Sequence, residues 1–382
     1  MSKLKYFALI ILLLSFNIYS QEKDSSSTFD IVDDFDYASD IFVDSSYNCS
    51  RGSLDLPVSG YGISFGNSKR NTGIRFNWSD CGIEQINGIN ITFWNPKNSP
   101  NSEVNGISFG LAPFASRLHG INIGIGANVA GERMTGVNIG VFANISDGSI
   151  LGINLAGLAL VTNRTLLGIN FGGLAIISNG NMLGFNIGGL ATISNGNMIG
   201  LNFGGIATIG NGSMYGINLG SIAAISNGTI GGFSLAGIAL IANGNMYGIN
   251  IGGLASILNG NIYGLNLGGL AIISGKGNIN GINLTAGKIA AQYGSVNGIS
   301  FAGYNTEAKS VFGINCNLAW SDIDNLKGLT VAPYNQIGTQ NGISIGILNM
   351  AKELNGVMFG LLNIVSNNPA PFKILPFMNV SF

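Results

Sequence analysis

His119 is the only histidine in 382 residues, so neither a paired-imidazole zinc site nor a His-centred acid–base couple can be assembled around it. The carboxylates offer no more. Beyond residue 50 they are Asp55, Asp80, Glu84, Glu103, Glu132, Asp147, Glu307, Asp322, Asp324 and Glu353, and none falls in a catalytic spacing. Asp322, Asp324 and Asn325 are expected in a solvated loop that could at most bind Ca²⁺ weakly. The many Gly-Gly and Gly-x-Gly pairs lack the following helix and the Lys-Ser/Thr or acidic partner of a phosphate loop. Calcium-binding nonapeptide rolls need Asp, which the central block does not have. No catalytic, cofactor-binding or metal-binding residue is nominated, and no enzymatic activity is expected. One polar column does stand out: Asn170, Asn186, Asn202, Asn218, Asn250 and Asn266. Stacked, these amides would form a hydrogen-bonded ladder. Inside a barrel they would line a neutral lumen without the charge rings that set ion selectivity.

The asparagines sit in a repeat. A Gly followed by an apolar residue recurs from residue 62 to residue 356, and from Gly120 to Gly264 the spacing is 16 every time. Three consecutive units are GINFGGLAIISNGNML (168–183), GFNIGGLATISNGNMI (184–199) and GLNFGGIATIGNGSMY (200–215). Numbering places from that Gly, the second and fourth are large and apolar, the third is Asn and the fifth and sixth are small. The seventh is Leu or Ile, the eighth Ala, the tenth Ile or Val, and the fifteenth Met, Ile or Leu. Ser-Asn-Gly-Asn fills places 11 to 14. Asn and Gly tolerate positive φ, so this piece is a turn. The alternating apolar residues on either side are strand patterning. Helix is excluded by about four glycines per unit, each costing about 1 kcal/mol relative to Ala.

Composition narrows the setting. Charged residues are 9% of the chain, against a usual figure of roughly 25%. Residues 151–290 contain no Asp or Glu, and Arg164, Lys276 and Lys288 are their only bases. A net charge of −1 gives nucleic acid no basic surface to bind. Two architectures fit a 16-residue strand unit. One is an antiparallel transmembrane β-barrel of about 20 short-turn strands, from 14–16-residue repeats. The alternative is a β-solenoid with two short strands per coil. Scarcity of charge favours the barrel, because a soluble domain carries many more ionic groups on its surface. In the unit 184–199, Leu183, Phe185, Ile187, Gly189, Ala191 and Ile193 would face lipid. Gly184, Asn186, Gly188, Leu190, Thr192 and Ser194 would face the lumen. Tyr215, Tyr247 and Tyr263 suit an interfacial girdle. Two strong apolar places, Ile187 and Leu190, break the alternation at Gly188–Gly189. That slip is either a barrel bulge or the corner of a coil.

Three segments are expected: a signal peptide over 1–20, an acidic and partly disordered stretch over 21–55, and a glycine-rich β-repeat domain over 56–382. Lys3 and Lys5 precede a short apolar run from Phe7 to Phe16, and Ser20 precedes the expected cleavage point. Cys49 and Cys81 either pair in an oxidising compartment or stay free. The alternating C-terminal strand ending on Phe382 suggests recognition by outer-membrane assembly machinery.

GINIGIGANVA (120–130), GISIGILNMA (342–351) and GVMFGLLNIV (356–365), with GIRFNWSD (73–80) and NGINITFWNPKN (87–98), resemble the glycine-rich repeats of bacterial surface-repeat proteins. That resemblance covers about residues 60–382. It implies export to the outer membrane or cell surface of a Gram-negative bacterium, with the lipid bilayer as partner and no established activity. The expected function is structural or weakly pore-like, and the alternative is an extracellular solenoid for adhesion or surface binding.

Overall fold

A computed structural model describes Cys49, residues 52–97 and residues 101–381. The expected signal peptide, nearly all of the acidic segment and Phe382 lie outside the described residues. Every described element is a β-strand, from β1 (Ser53–Val58) to β31 (Ile374–Ser381), numbered in chain order.

The fold is a β-solenoid, not a barrel. Each 16-residue unit contributes two strands rather than one: the four-residue β12 (Ala175–Ser178) and the seven-residue β13 (Met182–Gly188), for example. Both are too short for the roughly 9–11 residues that a membrane-spanning strand needs. β13 lies parallel between β11 (Leu166–Gly172) and β15 (Met198–Gly204), with Gly168, Gly184 and Gly200 in register and Asn170, Asn186 and Asn202 in register. β12 lies parallel between β10 (Ala159–Thr162) and β14 (Ala191–Ser194). Units therefore stack as coils, with a long side of seven-residue strands and a short side of four-residue strands.

Two corners close each coil. Asn-Gly-Asn (179–181) is the expected turn. The Gly188–Gly189 phase slip is the other corner, not a bulge: it swings Leu190 outward, 47% exposed, where a continuous strand would have turned it inward. Corner amides also bond from coil to coil, as in Leu190 N to Leu174 O at 2.7 Å and Gly196 N to Gly180 O at 3.2 Å. Stacking thus satisfies the backbone at the corners as well as along the strands.

Glycine at the first place is compelled by stacking. Gly200 has φ +122, and a Cβ there would lie 2.1 Å from the carbonyl oxygen of Gly184, one coil below. The same positive φ and the same close approach recur at Gly168, Gly184, Gly216 and onward through the column. The interior between the two sides is thin and filled. Met182, Met198, Met214 and Met246 on the long side, and Leu160, Ile176, Leu240 and Ile272 on the short side, are fully buried. Each such side chain contributes about 1.5–3 kcal/mol.

Near the C-terminal end the strands lengthen. β26 (Lys288–Ala302) pairs with both β24 (Ala271–Ser274) and β25 (Ile279–Thr285), so a single bent strand serves both sides of its coil. Asp322 and Asp324, expected in a loop, lie instead in β28 (Trp320–Val331).

Both ends carry an antiparallel cap: β1 on β2 (Tyr61–Gly66), and β31 on β30 (Leu348–Val365). Each capping strand contains a proline, Pro57 or Pro376, which cannot donate to another strand. Removing residues 366–382 should therefore leave the β30 edge open to a second copy's open end, because the capped N-terminus cannot accept it. Electron micrographs should show particles about twice as long, joined at one end only. Unchanged particle length would show that β31 does not protect the edge.

Candidate functional site

The asparagine column is buried in the core and lines no lumen. Asn170, Asn186, Asn202, Asn218, Asn250 and Asn266 are all at most 1% exposed. Each side-chain amide donates to the carbonyl oxygen of its counterpart in the following coil: Asn170 to Asn186 at 2.8 Å, Asn186 to Asn202 at 2.9 Å, Asn202 to Asn218 at 2.9 Å. The ladder begins at Asn122 and extends beyond the expected members through Asn138 and Asn154. At Ser234 it weakens, the Asn218 amide reaching the shorter hydroxyl only at 3.4 Å. From Asn250 it resumes through Asn266 to Asn283. The Asn250 carbonyl oxygen is buried with no hydrogen-bond partner among the described residues. Ser234→Asn should supply that missing donor and raise stability by about 1 kcal/mol, measured by urea unfolding. A loss of stability would mean that the pocket around Ser234 cannot hold an amide.

Two other polar columns brace the coils. Ser178, Ser194, Ser226 and Ser274 point inward and donate to a corner carbonyl of the preceding coil, that of Arg164, Gly180, Gly212 and Gly260 respectively, each at 2.8 Å. On the outside of that corner Asn179, Asn195, Asn211 and Asn227 form a second amide ladder, at 2.7–3.1 Å. Core polarity in this protein is thus structural, and the outward surface is where a partner can act.

That surface is apolar over most of the coil. The second and fourth places point outward along the whole long side: Ile169 is 54% exposed, Phe171 44% and Phe185 48%. The seventh place adds the exposed corner column of Leu158, Leu174, Leu190, Ile238 and Leu254. The short side shows Ala and Ile, as at Ala191 and Ile193, half-buried. Leu183, Phe185 and Ile187 thus do share a face, as their alternation predicts, but it is the outer wall of a coil. Tyr247 and Tyr263 stack in neighbouring coils, ring centroids 5.0 Å apart, and Tyr215 is exposed in the same column. They form a short patch along the stack, not a girdle.

Charge is pushed to the two ends. Near the N-terminal end, Arg70 pairs with Glu84 at 2.6 Å and Arg117 with Glu132 at 3.3 Å, all exposed. His119 lies on the outer wall, its Nδ1 2.5 Å from the Thr135 hydroxyl. Near the C-terminal end Lys288 pairs with Glu307 at 2.5 Å. Burial, then Glu307 and Asp324 nearby, raise the Asp322 carboxyl above its ordinary range against the pull of Lys288. In the N-terminal cap the Ser64 hydroxyl chiefly holds Asp55 below that range.

One site escaped sequence reasoning. Arg75 occupies the third place of its coil, where most coils carry Asn, and is fully buried. Its guanidinium meets Asp80 at 2.6 Å, Asn90 at 2.9 Å and Ser68 at 3.2 Å. Counting two residues on from Gly73 reveals Arg75 as an inward charge, a signal present in the repeat register. Beside it Cys49 and Cys81 form a disulfide, with Cα atoms 5.6 Å apart. Cys316 is free, on the outer wall at a fourth place.

Compared with known proteins, the chain matches no family model, no curated protein and no solved structure.

Proposed function

We propose that this chain is an exported surface scaffold, a non-catalytic β-solenoid that works by laying its uncharged outer walls against another surface. The observation that carries the proposal is the exterior between residues 151 and 290. It has no acidic residue, and the second, fourth and seventh places of its coils, which face outward, are nearly all Ile, Leu or Phe. Contiguous apolar patches beyond a few hundred Å² on a protein surface mark interaction sites. A filled core threaded by the amide ladder leaves no lumen through the coils, which supports adhesion or surface binding over a pore-like role. The resemblance to bacterial surface-repeat proteins supports the same location, at the cell surface or on the outer membrane.

Expression of the full chain in a Gram-negative host, followed by fractionation, tests this. We expect the protein in the envelope fraction, released by alkaline carbonate and without heat-modifiable migration. Complete recovery in the cytosol would overturn the proposal, and so would resistance to carbonate with heat-modifiable migration.

A further inference from the structure

We infer that the long side is a pairing surface for a second copy of this chain. The second and fourth places carry only Ile, Val, Leu, Phe or Cys in every coil from Ile63 and Phe65 to Val357 and Phe359. The caps continue the strip. Leu54 and Leu56 extend it at one end, Met378 and Val380 at the other, and all four are exposed. At a strand spacing of ~4.8 Å the strip is roughly 90 Å long without the caps, and two side-chain columns make it about 14 Å wide. Its area is then on the order of 1,200 Å², above the roughly 800 Å² per partner of a standard interface.

Three features favour a second copy over any other occupant. The first is spacing. Side chains repeat along the strip once per strand, and only another such stack matches that spacing over the full length, as the facing sheets of a steric zipper do. Against an irregular protein surface the match is lost after a few coils. The second is charge. A two-fold pairing brings a surface against itself, so any charge near the axis would meet its own copy. Neither column holds one. Lys327 sits at the margin of the strip, 5.5 Å from the Phe312 ring. The third is the shape of the apolar area. Peripheral attachment to an anionic bilayer draws on Lys and Arg at the rim of the contact. Here the strip runs from cap to cap, and near its N-terminal end Arg70 and Arg117 are already matched to glutamates.

Sedimentation velocity on the purified full chain, over a concentration series without detergent, tests the pairing. We expect a species of twice the chain mass. The triple variant Ile169→Thr/Phe185→Thr/Leu201→Thr, three consecutive second places, should sediment as a monomer with an unchanged β-type circular dichroism spectrum. Ile177→Thr/Ile193→Thr/Ile209→Thr, on the short side, should leave the pair intact. Cys316 supplies an independent reading, because the pair should shield its thiol from a water-soluble alkylating reagent. Its reaction should slow at least tenfold relative to the long-side variant. The inference fails if the unmodified chain is monomeric at every concentration with an unprotected Cys316. It fails equally if the chain associates only with phosphatidylethanolamine/phosphatidylglycerol vesicles, or if the short-side variant alone dissociates it. The surface-scaffold reading survives such a failure, since a monomer can still fractionate with the envelope.

Discussion

Gly200→Ala is expected to destabilise the solenoid by about 3 kcal/mol or more, and to break its unfolding into two stages. Two costs combine. A backbone φ of +122 belongs to a region that only glycine enters freely. The added methyl would also sit 2.1 Å from the Gly184 carbonyl oxygen, backbone that cannot move without separating the two coils. That carbonyl belongs to the register in which Gly184 faces Gly200, so relief of the clash weakens the ladder there. In a linear array each coil contacts only its neighbours, and a break in the middle uncouples the halves. Circular dichroism through a urea titration should show two transitions where the parent shows one. Limited proteolysis should open new cleavage near residues 195–205. Ile193→Thr, on the outer wall of the short side, is the control and should change stability by less than about 1 kcal/mol. A single transition displaced by no more than that control would remove the stacking argument for the glycine column.

Much of this architecture was legible in the repeat. The Asn-Gly-Asn turn, the sixteen-residue period and, up to the Gly188–Gly189 corner, the alternation of inward and outward places are as expected, whereas Leu190, expected inward, is outward. What misled was solvent. Alternation at period two is common to a barrel strand and to one side of a solenoid coil, since both are strands with one face hidden. The distinction lay in the second corner. Ile187 and Leu190 are both outward because the chain bends at Gly188–Gly189, and the slip in the pattern recorded that bend. The shortage of charge bears on what the walls touch rather than on how the chain closes. Parallel pairing between coils was not legible, because identical units align equally well in either architecture. The first-place glycine was visible, but its cause is the carbonyl of the preceding coil, and that contact exists only once the coils are stacked.

The other large effect is expected at the N-terminal end, where Arg75→Met should cost about 3–5 kcal/mol and unravel the first coils. Arg75 and Asp80 are both fully shielded from water, so the two charges depend on each other. Asn77 also donates to the same Asp80 oxygen, Oδ1, at 2.6 Å. The second oxygen, Oδ2, is buried with no hydrogen-bond partner among the described residues. Loss of the guanidinium thus leaves a buried carboxylate facing neutral amides. Asn67 would lose a contact as well, the Arg75 Nη2 atom lying 3.3 Å from its side-chain oxygen. That oxygen also accepts from the Cys81 backbone at 2.9 Å, so the disturbance reaches the disulfide. The double variant Arg75→Met/Asp80→Leu should recover at least half of the loss, because a buried pair is replaced by apolar groups far more cheaply than it is broken. Proteolysis over residues 52–90 of the oxidised protein would separate the variants, with Arg75→Met cleaved fastest. If the double variant were the less stable of the two, packing around the arginine stem, and not its charge, would be what holds this end of the stack.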